Sequence, residues 1–259
     1  MSGNFNVRVV AAEIVSTSDR ATRRFPRDIE FAALLLPVHV EAIVNLTARK
    51  VDEWLHFHLH WTLSDAMDER RLRGCLVAHR GRGLIFIEAS ETNEERRFTL
   101  SHELAHFIGH YLATRELAIE RLGSSVTAVL DGDRIPTPAE RLSGVLTRCP
   151  LGVFRDVLSR DGSEPLTAVA ERMETEADAA AFLALAPPGD VAMRCETTGR
   201  RLDRDGVLKT LQVDFGLAYT DAVNHLPVVF KFIRGKAPTL VESLKAAAAT
   251  SGLPPKRPM

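Results

Sequence analysis

Apolar positions recur at helical spacing over most of this chain, interrupted by one stretch of strand-like character. Between Asp28 and about Leu63, the series Ile29, Phe31, Leu34 and Leu35, then Val40, Ile43, Val44, Leu46, Val51, Trp54 and Leu55, predicts two helices broken near Pro37. From Gly74 to Ala89 the period changes. Cys75-Leu76-Val77-Ala78 and Leu84-Ile85-Phe86-Ile87 flank Gly81-Arg82-Gly83 and predict a hairpin. The second of these strands is apolar on consecutive residues, so both its faces should be covered; besides serving as a core strand, it could offer its edge to an extended peptide. Thr92 followed by Glu95 reads as a capping box opening a buried helix that runs through Phe98, Leu104, Phe107, Ile108 and Leu112, with Ala113 to Leu122 continuing it. Turn residues over Val129 to Pro138 break the pattern, where Asp131 and Asp133 suit turn capping because the oxygen ladder of a calcium loop is missing. Helical spacing returns over Ala139 to Val157 and again from Glu171 to Leu185, which Pro187-Pro188 stops. Leu208, Leu211, Phe215 and Leu217, a break at Gly216, then Ala222, Leu226 and Val229 predict a final helical pair. The fold class expected is α+β, mostly helical with a small sheet.

Composition narrows the function. The chain has 259 residues, 45% hydrophobic and 26% charged, enough for one large domain or a domain with a small appendage. Its net charge of −1 gives no overall electrostatic case for nucleic acid. In the C-terminal pair, Arg200, Arg201, Arg204 and Lys209 are diluted by Asp203, Asp205 and Asp214, so packing is expected there and direct DNA binding is not. No apolar run approaches the roughly eighteen residues of a membrane span, and Met1 to Arg8 lacks a basic segment followed by an apolar core. A cytoplasmic protein is expected. Cys75, Cys149 and Cys195 are odd in number and far apart, as reduced buried thiols would be.

The chemistry centres on His102-Glu103-Leu104-Ala105-His106. On a helix, positions four apart differ by about 40°, so His102 and His106 point the same way and can share one metal ion, with Glu103 beside them as general base. Between Phe98 and Leu112 Glu103 carries the only formal charge, and a lone buried carboxylate is costly unless a cation accompanies it. The spacing of His56, His58 and His60 would put three imidazoles on one face of a strand but scatter them around a helix; with no Cys or carboxylate at ligand spacing, they carry no metal assignment.

A catalytic zinc needs a third protein ligand from elsewhere. Glu174, Ala177, Asp178, Ala181 and Leu185 form one stripe of the helix that ends at Pro187. Glu174 is therefore assigned as ligand and Asp178 as the acceptor for a histidine ring N–H, with Glu171 as the spare candidate. Glu176 lies about 200° round from Glu174 and should face solvent if Glu174 faces metal. Oxyanion donors are not fixed by spacing; Tyr219 and His225 in the C-terminal helices are candidates, while Tyr111 lies about 180° round the helix from His102. The longer metzincin motif is excluded because Leu112 stands where its third histidine belongs.

Two blocks resemble the ImmA/IrrE-type metallopeptidases, cytoplasmic zincins of bacteria and their mobile elements. Arg96 to His106 with the trailing His110, preceded by Leu84 to Ile87, is similar to that family's zinc helix and hairpin. Glu174-x-Glu176-Ala177-Asp178, with Ala181 and Pro187, is similar to its second block, whose first Glu is the third zinc ligand. Ala180 departs from the family's large apolar residue, and the span between the blocks is long. The resemblance covers about residues 70 to 230; the organisation expected is a zincin-like core over 64–195 with an insertion at about 113–168, an N-terminal helical segment over 1–63, a C-terminal helical segment over 196–245 and a disordered tail over 246–259. The resemblance implies zinc, with manganese as the alternative ion, and a helix-turn-helix transcriptional repressor as protein substrate, cut in response to stress or a mobile element's cue. The rival expectation is a non-enzymatic regulator whose metal-stabilised scaffold binds a repressor or DNA.

Overall fold

The computed structural model describes residues 5–62, 69–143, 149–159 and 167–236. The tail expected over 246–259 lies outside them, as does most of the connection after Ser159. Three short N-terminal helices, α1 (Val7–Ile14), α2 (Thr17–Thr22) and α3 (Ile29–Leu34), precede strand β1 (Val38–Ile43) and helix α4 (Ala48–Leu59). A hairpin of β2 (Leu72–His79) and β3 (Arg82–Glu88) leads into α5 (Asn93–Ala105), a π-helical turn (His106–Leu112) and α6 (Ala113–Leu122). Two short helices, α7 (Thr127–Leu130) and α8 (Pro138–Leu142), precede strand β4 (Phe154–Ser159); the long α9 (Ala168–Leu185) and a C-terminal group, α10 (Pro188–Thr197), α11 (Arg204–Val213) and α12 (Tyr219–Lys236), follow.

The sheet has the order β1-β3-β2-β4. The hairpin turns through Arg80 and Gly81, both at positive φ (52° and 76°), the backbone that lets a tight turn follow the strand twist. β3 runs parallel to β1 and antiparallel to β2. It is thus an inner strand with both edges paired, and the edge available to a peptide is not the one the sequence suggested. Both faces of β3 are covered, as its apolar run requires. Ile85 and Ile87 join Leu76 and Ala78 in a core with α1, α5 and α9, while Phe86 packs with Cys75, Val77 and the α4 residues Val51 and Leu55.

Two stretches read as helical are strands. Over 38–43 the alternation of Val38 and Val40 toward the main core, with His39 and Glu41 turned away, is compatible with either period, and a free edge on β3 settles it as β1. Around Phe154 to Ser159 the chain pairs antiparallel with β2, and among the described residues between Pro138 and Ser159 the helical spacing is realised as α8. His56 and His58 lie on α4 and His60 caps its end in the left-handed region; all three are exposed, and His58 stacks on Trp54 at 4.2 Å. Asp131 and Asp133 pair with Arg115 (2.7 Å) and Arg80 (2.6 Å). At the C-terminus Gly216, at φ 63°, separates α11 from α12, giving the expected pair, and Arg194 and Arg200 are ion-paired with Asp214. Among the described residues, no helix is long and apolar enough to cross a membrane.

Candidate metal centre

The site is built on the rod formed by α5, the π-helical turn and α6. Its start is fixed by the capping box: Glu95 N–H donates to Thr92 Oγ1 (3.3 Å) and Thr92 N–H donates to Glu95 Oε2 (2.9 Å). Its deep end carries His102, Glu103 and His106, all fully buried. The two Nε2 atoms of the histidines lie 3.0 Å apart, the outcome of four-residue spacing on one face. From His106 the backbone widens into the π-helical turn, a distortion that recurs at functional sites. It brings His110 beside His106, Nδ1 to Nδ1 at 3.1 Å.

α9 crosses this rod, seated through its alanine stripe and the contact of Phe182 with Phe98, ring centroids 4.8 Å apart. Glu174 places Oε2 3.3 Å from His102 Nε2 and Oε1 3.4 Å from His106 Nε2. One turn on, Asp178 Oδ1 is 2.9 Å from His102 Nδ1. Glu176 sits outside this cluster, yet it does not merely face solvent: its Oε2 is 3.1 Å from His110 Nε2. If both Nε2 atoms bind metal, His102 Nδ1–H donates to Asp178, and His106 Nδ1–H donates to His110, whose Nε2–H donates to Glu176. Each ring is then oriented by a path ending on a carboxylate.

Sequence reasoning missed Asp156. It lies on β4, and its Oδ2 is 3.4 Å from His106 Nε2. His102, His106, Asp156 and Glu174 each offer one ligand atom, and all four atoms lie within 4.8 Å of one another. Four donors at bond lengths of 2.0–2.1 Å around a tetrahedral ion would be separated by about 3.3 Å. The contacts His102–His106, His102–Glu174, His106–Glu174 and His106–Asp156, at 3.0–3.4 Å, are close to that spacing, and the full set lies within 4.8 Å. Phe154-Arg155-Asp156-Val157 does not alternate between apolar and polar residues, so the sequence offers no strand signal there against the helical pattern around it.

The charge balance also points to a cation. Glu103 has both carboxylate oxygens buried without a hydrogen-bond partner. It fits beneath β2 because position 74 is glycine: a Cβ there would meet Glu103 Oε1 at 2.4 Å. Burial, then the charges of Asp156 and Glu174, push the Glu103 carboxyl well above the usual range, against the pull of His102. Asp156 is pushed up to about 7 by burial and by Glu174. Burial would lower His102, but hydrogen bonds with Asp178 and Glu174 and the nearby carboxylate of Glu103 outweigh it and raise it well above its ordinary value. His106 is lowered well below its ordinary value by burial, then by His102 and His110, which keeps it neutral as a ligand must be. Carboxylates crowded in a dry pocket with a neutral imidazole suit a divalent ion.

The oxyanion candidates are not brought to this cluster. Tyr219, at the start of α12, is 58% exposed. His225 is buried, stacked on Phe182 at 4.7 Å, and its Nε2–H donates to the Ala186 carbonyl (2.8 Å). Tyr111 accepts a hydrogen bond from Gly81 N–H (2.8 Å), on the far side of the rod as helical geometry requires.

No curated protein matches the chain. Residues 61–126, which take in the hairpin and the rod with His102, Glu103 and His106 and end before Asp156 and Glu174, match the family model Peptidase_M78, IrrE N-terminal-like domain, so this part of the chain is similar to a metallopeptidase-type family, the one its zinc-helix block resembles.

Proposed function

We propose that the protein is a zinc-dependent endopeptidase, with His102, His106 and Glu174 as metal ligands, Glu103 as general acid–base and Asp178 as the group that orients His102. The observation that carries this reading is the convergence of two histidine Nε2 atoms and a distant carboxylate beside a buried carboxylate with no partner of its own. When bound, zinc (or manganese) would act as a Lewis acid that polarises the scissile carbonyl and acidifies water. Glu103 takes a proton from the water as its oxygen adds to the carbonyl carbon, and returns it to the nitrogen as the C–N bond breaks. Asp178 keeps His102 in the tautomer that leaves Nε2 free to bind. Burial of Glu103 under β2 excludes bulk water from the proton path.

In this reading the peptidase core spans 64–195 with an insertion at about 113–168, the segment 1–63 adds β1 to its sheet, and α10, α11 and α12 follow it. The substrate that the family resemblance favours is a helix-turn-helix repressor in the cytoplasm, cleaved during a stress or mobile-element response. Replacing Glu103→Gln tests the activity, because it should leave zinc content and fold intact while abolishing cleavage of the repressor; cleavage that survives would refute the role of Glu103. One observation favours a second reading. A fourth candidate ligand, the carboxylate of Asp156, completes a closed ligand set of the kind structural zinc sites have, which suits a regulator that uses metal only for stability. Such a protein would give the same biological output with Gln at 103.

A further inference from the structure

Catalytic zinc sites keep one position open, with three protein ligands, whereas four protein ligands make a closed site. Four are gathered here, and the fourth arrives on a strand. β4 pairs antiparallel with β2, Asp156 standing opposite Leu76, Phe154 opposite Ala78 and Leu158 opposite Gly74. Alternation along β4 sends Phe154 into the same core as Leu76 and Ala78, on the face where α5 lies, and sends Val157 to the opposite core. Asp156 shares the face of Phe154. A slip of one residue would replace it with Arg155 or Val157, so the register that puts a carboxylate against His106 is specific.

The edge that β4 covers also matters. β3 is internal and β1 closes the far side of the sheet, so the β2 edge is the one that runs past the metal ligands. β2 passes directly over Glu103, as the 2.4 Å approach at Gly74 shows. An extended peptide adding to this edge would form the same ladder that β4 forms, and its residue opposite Leu76 would be turned toward His106 as Asp156 is. β4 therefore occupies the track a substrate backbone would take, and Asp156 stands where the fourth ligand position falls.

We infer that β4 is an internal occupant of the substrate edge and that Asp156 is a fourth protein ligand, so that this fold is the closed form of the peptidase. The inference rests on the metal-centre reading above. In the closed form the four ligand atoms would leave no position for water and β4 occupies the β2 edge from Leu72 to Ala78; ligation by Asp156 pins β4 there, so that losing this carboxylate opens the metal position and loosens β4 from the edge.

The test compares the full-length wild type with Asp156→Ala and Asp156→Asn, the second nearly isosteric and so protected against simple unfolding. Each is loaded with zinc and, separately, with cobalt(II), and is followed by metal stoichiometry, competition with a chelator, the cobalt d–d absorption and cleavage of fluorescein-labelled casein. The expected result is one bound ion per wild-type chain. Both variants should bind zinc more weakly by at least about tenfold, the loss that removal of even an outer hydrogen-bond partner brings. Their cobalt spectra should shift as water replaces a carboxylate, and casein cleavage should rise. Unchanged affinity and spectrum in both variants would overturn the ligand assignment while leaving the three-ligand centre standing. Altered spectra without a gain in cleavage would overturn the closed-form inference. A wild type that binds neither metal would overturn the metal centre itself, and this inference with it.

Discussion

The fit of Glu103 beneath β2 can be tested with a single methyl group. Gly74 has no positive φ, so Gly74→Ala changes little in the backbone and adds only a Cβ, which would lie 2.4 Å from Glu103 Oε1 and 2.7 Å from Thr99 Cγ2. These approaches fall roughly 1 Å short of ordinary van der Waals separation. Thr99 and Glu103 are both fully buried, so neither side chain can swing into solvent to make room. Overpacking of this kind costs about 1–3 kcal/mol, which for a chain of this size lowers the melting temperature by roughly 2–10 °C. The same displacement moves the Glu103 carboxylate, the proposed acid–base group, by about 1 Å, and a misplacement of that size costs about 100-fold in rate. Stability is read by thermal and denaturant unfolding of zinc-loaded protein, and rate by casein cleavage in the Asp156→Asn background, which removes the proposed fourth ligand. Removing the obstructing carboxylate in Gly74→Ala/Glu103→Ala should recover part of the lost stability relative to the sum of the single changes, a coupling of about 0.5–3 kcal/mol. A Gly74→Ala protein with wild-type melting and undiminished cleavage, or a double variant showing no coupling, would refute the packing argument.

Three further outcomes are expected. Glu174→Gln should lose bound zinc while Glu176→Gln keeps it, measured by metal analysis of the purified proteins; the reverse result would move the third ligand to Glu176. Asp178→Asn should weaken zinc binding by about 10- to 100-fold with the melting curve of the metal-free protein little changed, since it removes the acceptor for His102 Nδ1–H and not a ligand. His225 supplies a pH dependence away from the metal: burial lowers it from 6.5 to about 4, only partly opposed by its hydrogen bond to Ala186. A depressed histidine means that the unfolded chain binds the proton more tightly, so this contribution is present above pH 6.5 and is lost as pH falls toward 4. It amounts to about 3 kcal/mol across that window. Urea unfolding at pH 7 and pH 5 should show a smaller loss for His225→Phe, which keeps the stacking on Phe182, than for the wild type; equal losses would contradict the assignment.

Local periodicity made much of the centre legible. The four-residue spacing of His102 and His106, the capping box at Thr92 and Glu95, the small-residue stripe bearing Glu174 and Asp178, and the hairpin ahead of the rod are all relations within one element or between neighbours in sequence. Backbone geometry fixes such relations before any tertiary contact forms. Which edges pair and which faces meet is another matter. β1 and β4 are strands because β3 and β2 present edges to them, and short segments whose pattern fits either period take the state their neighbours offer. Glu176 does lie off the Glu174 face of α9, but His110, at the π-helical turn of the neighbouring rod, meets it there, a contact between elements that the phase of α9 alone does not contain. The sequence by itself thus determined two imidazoles on one helix face and a carboxylate pair on another, because a helix repeats at a fixed angle. Only the tertiary structure decided that those faces meet around a common point and that Asp156 joins them, because strand register is set by the partner edge and not by the strand's own residues.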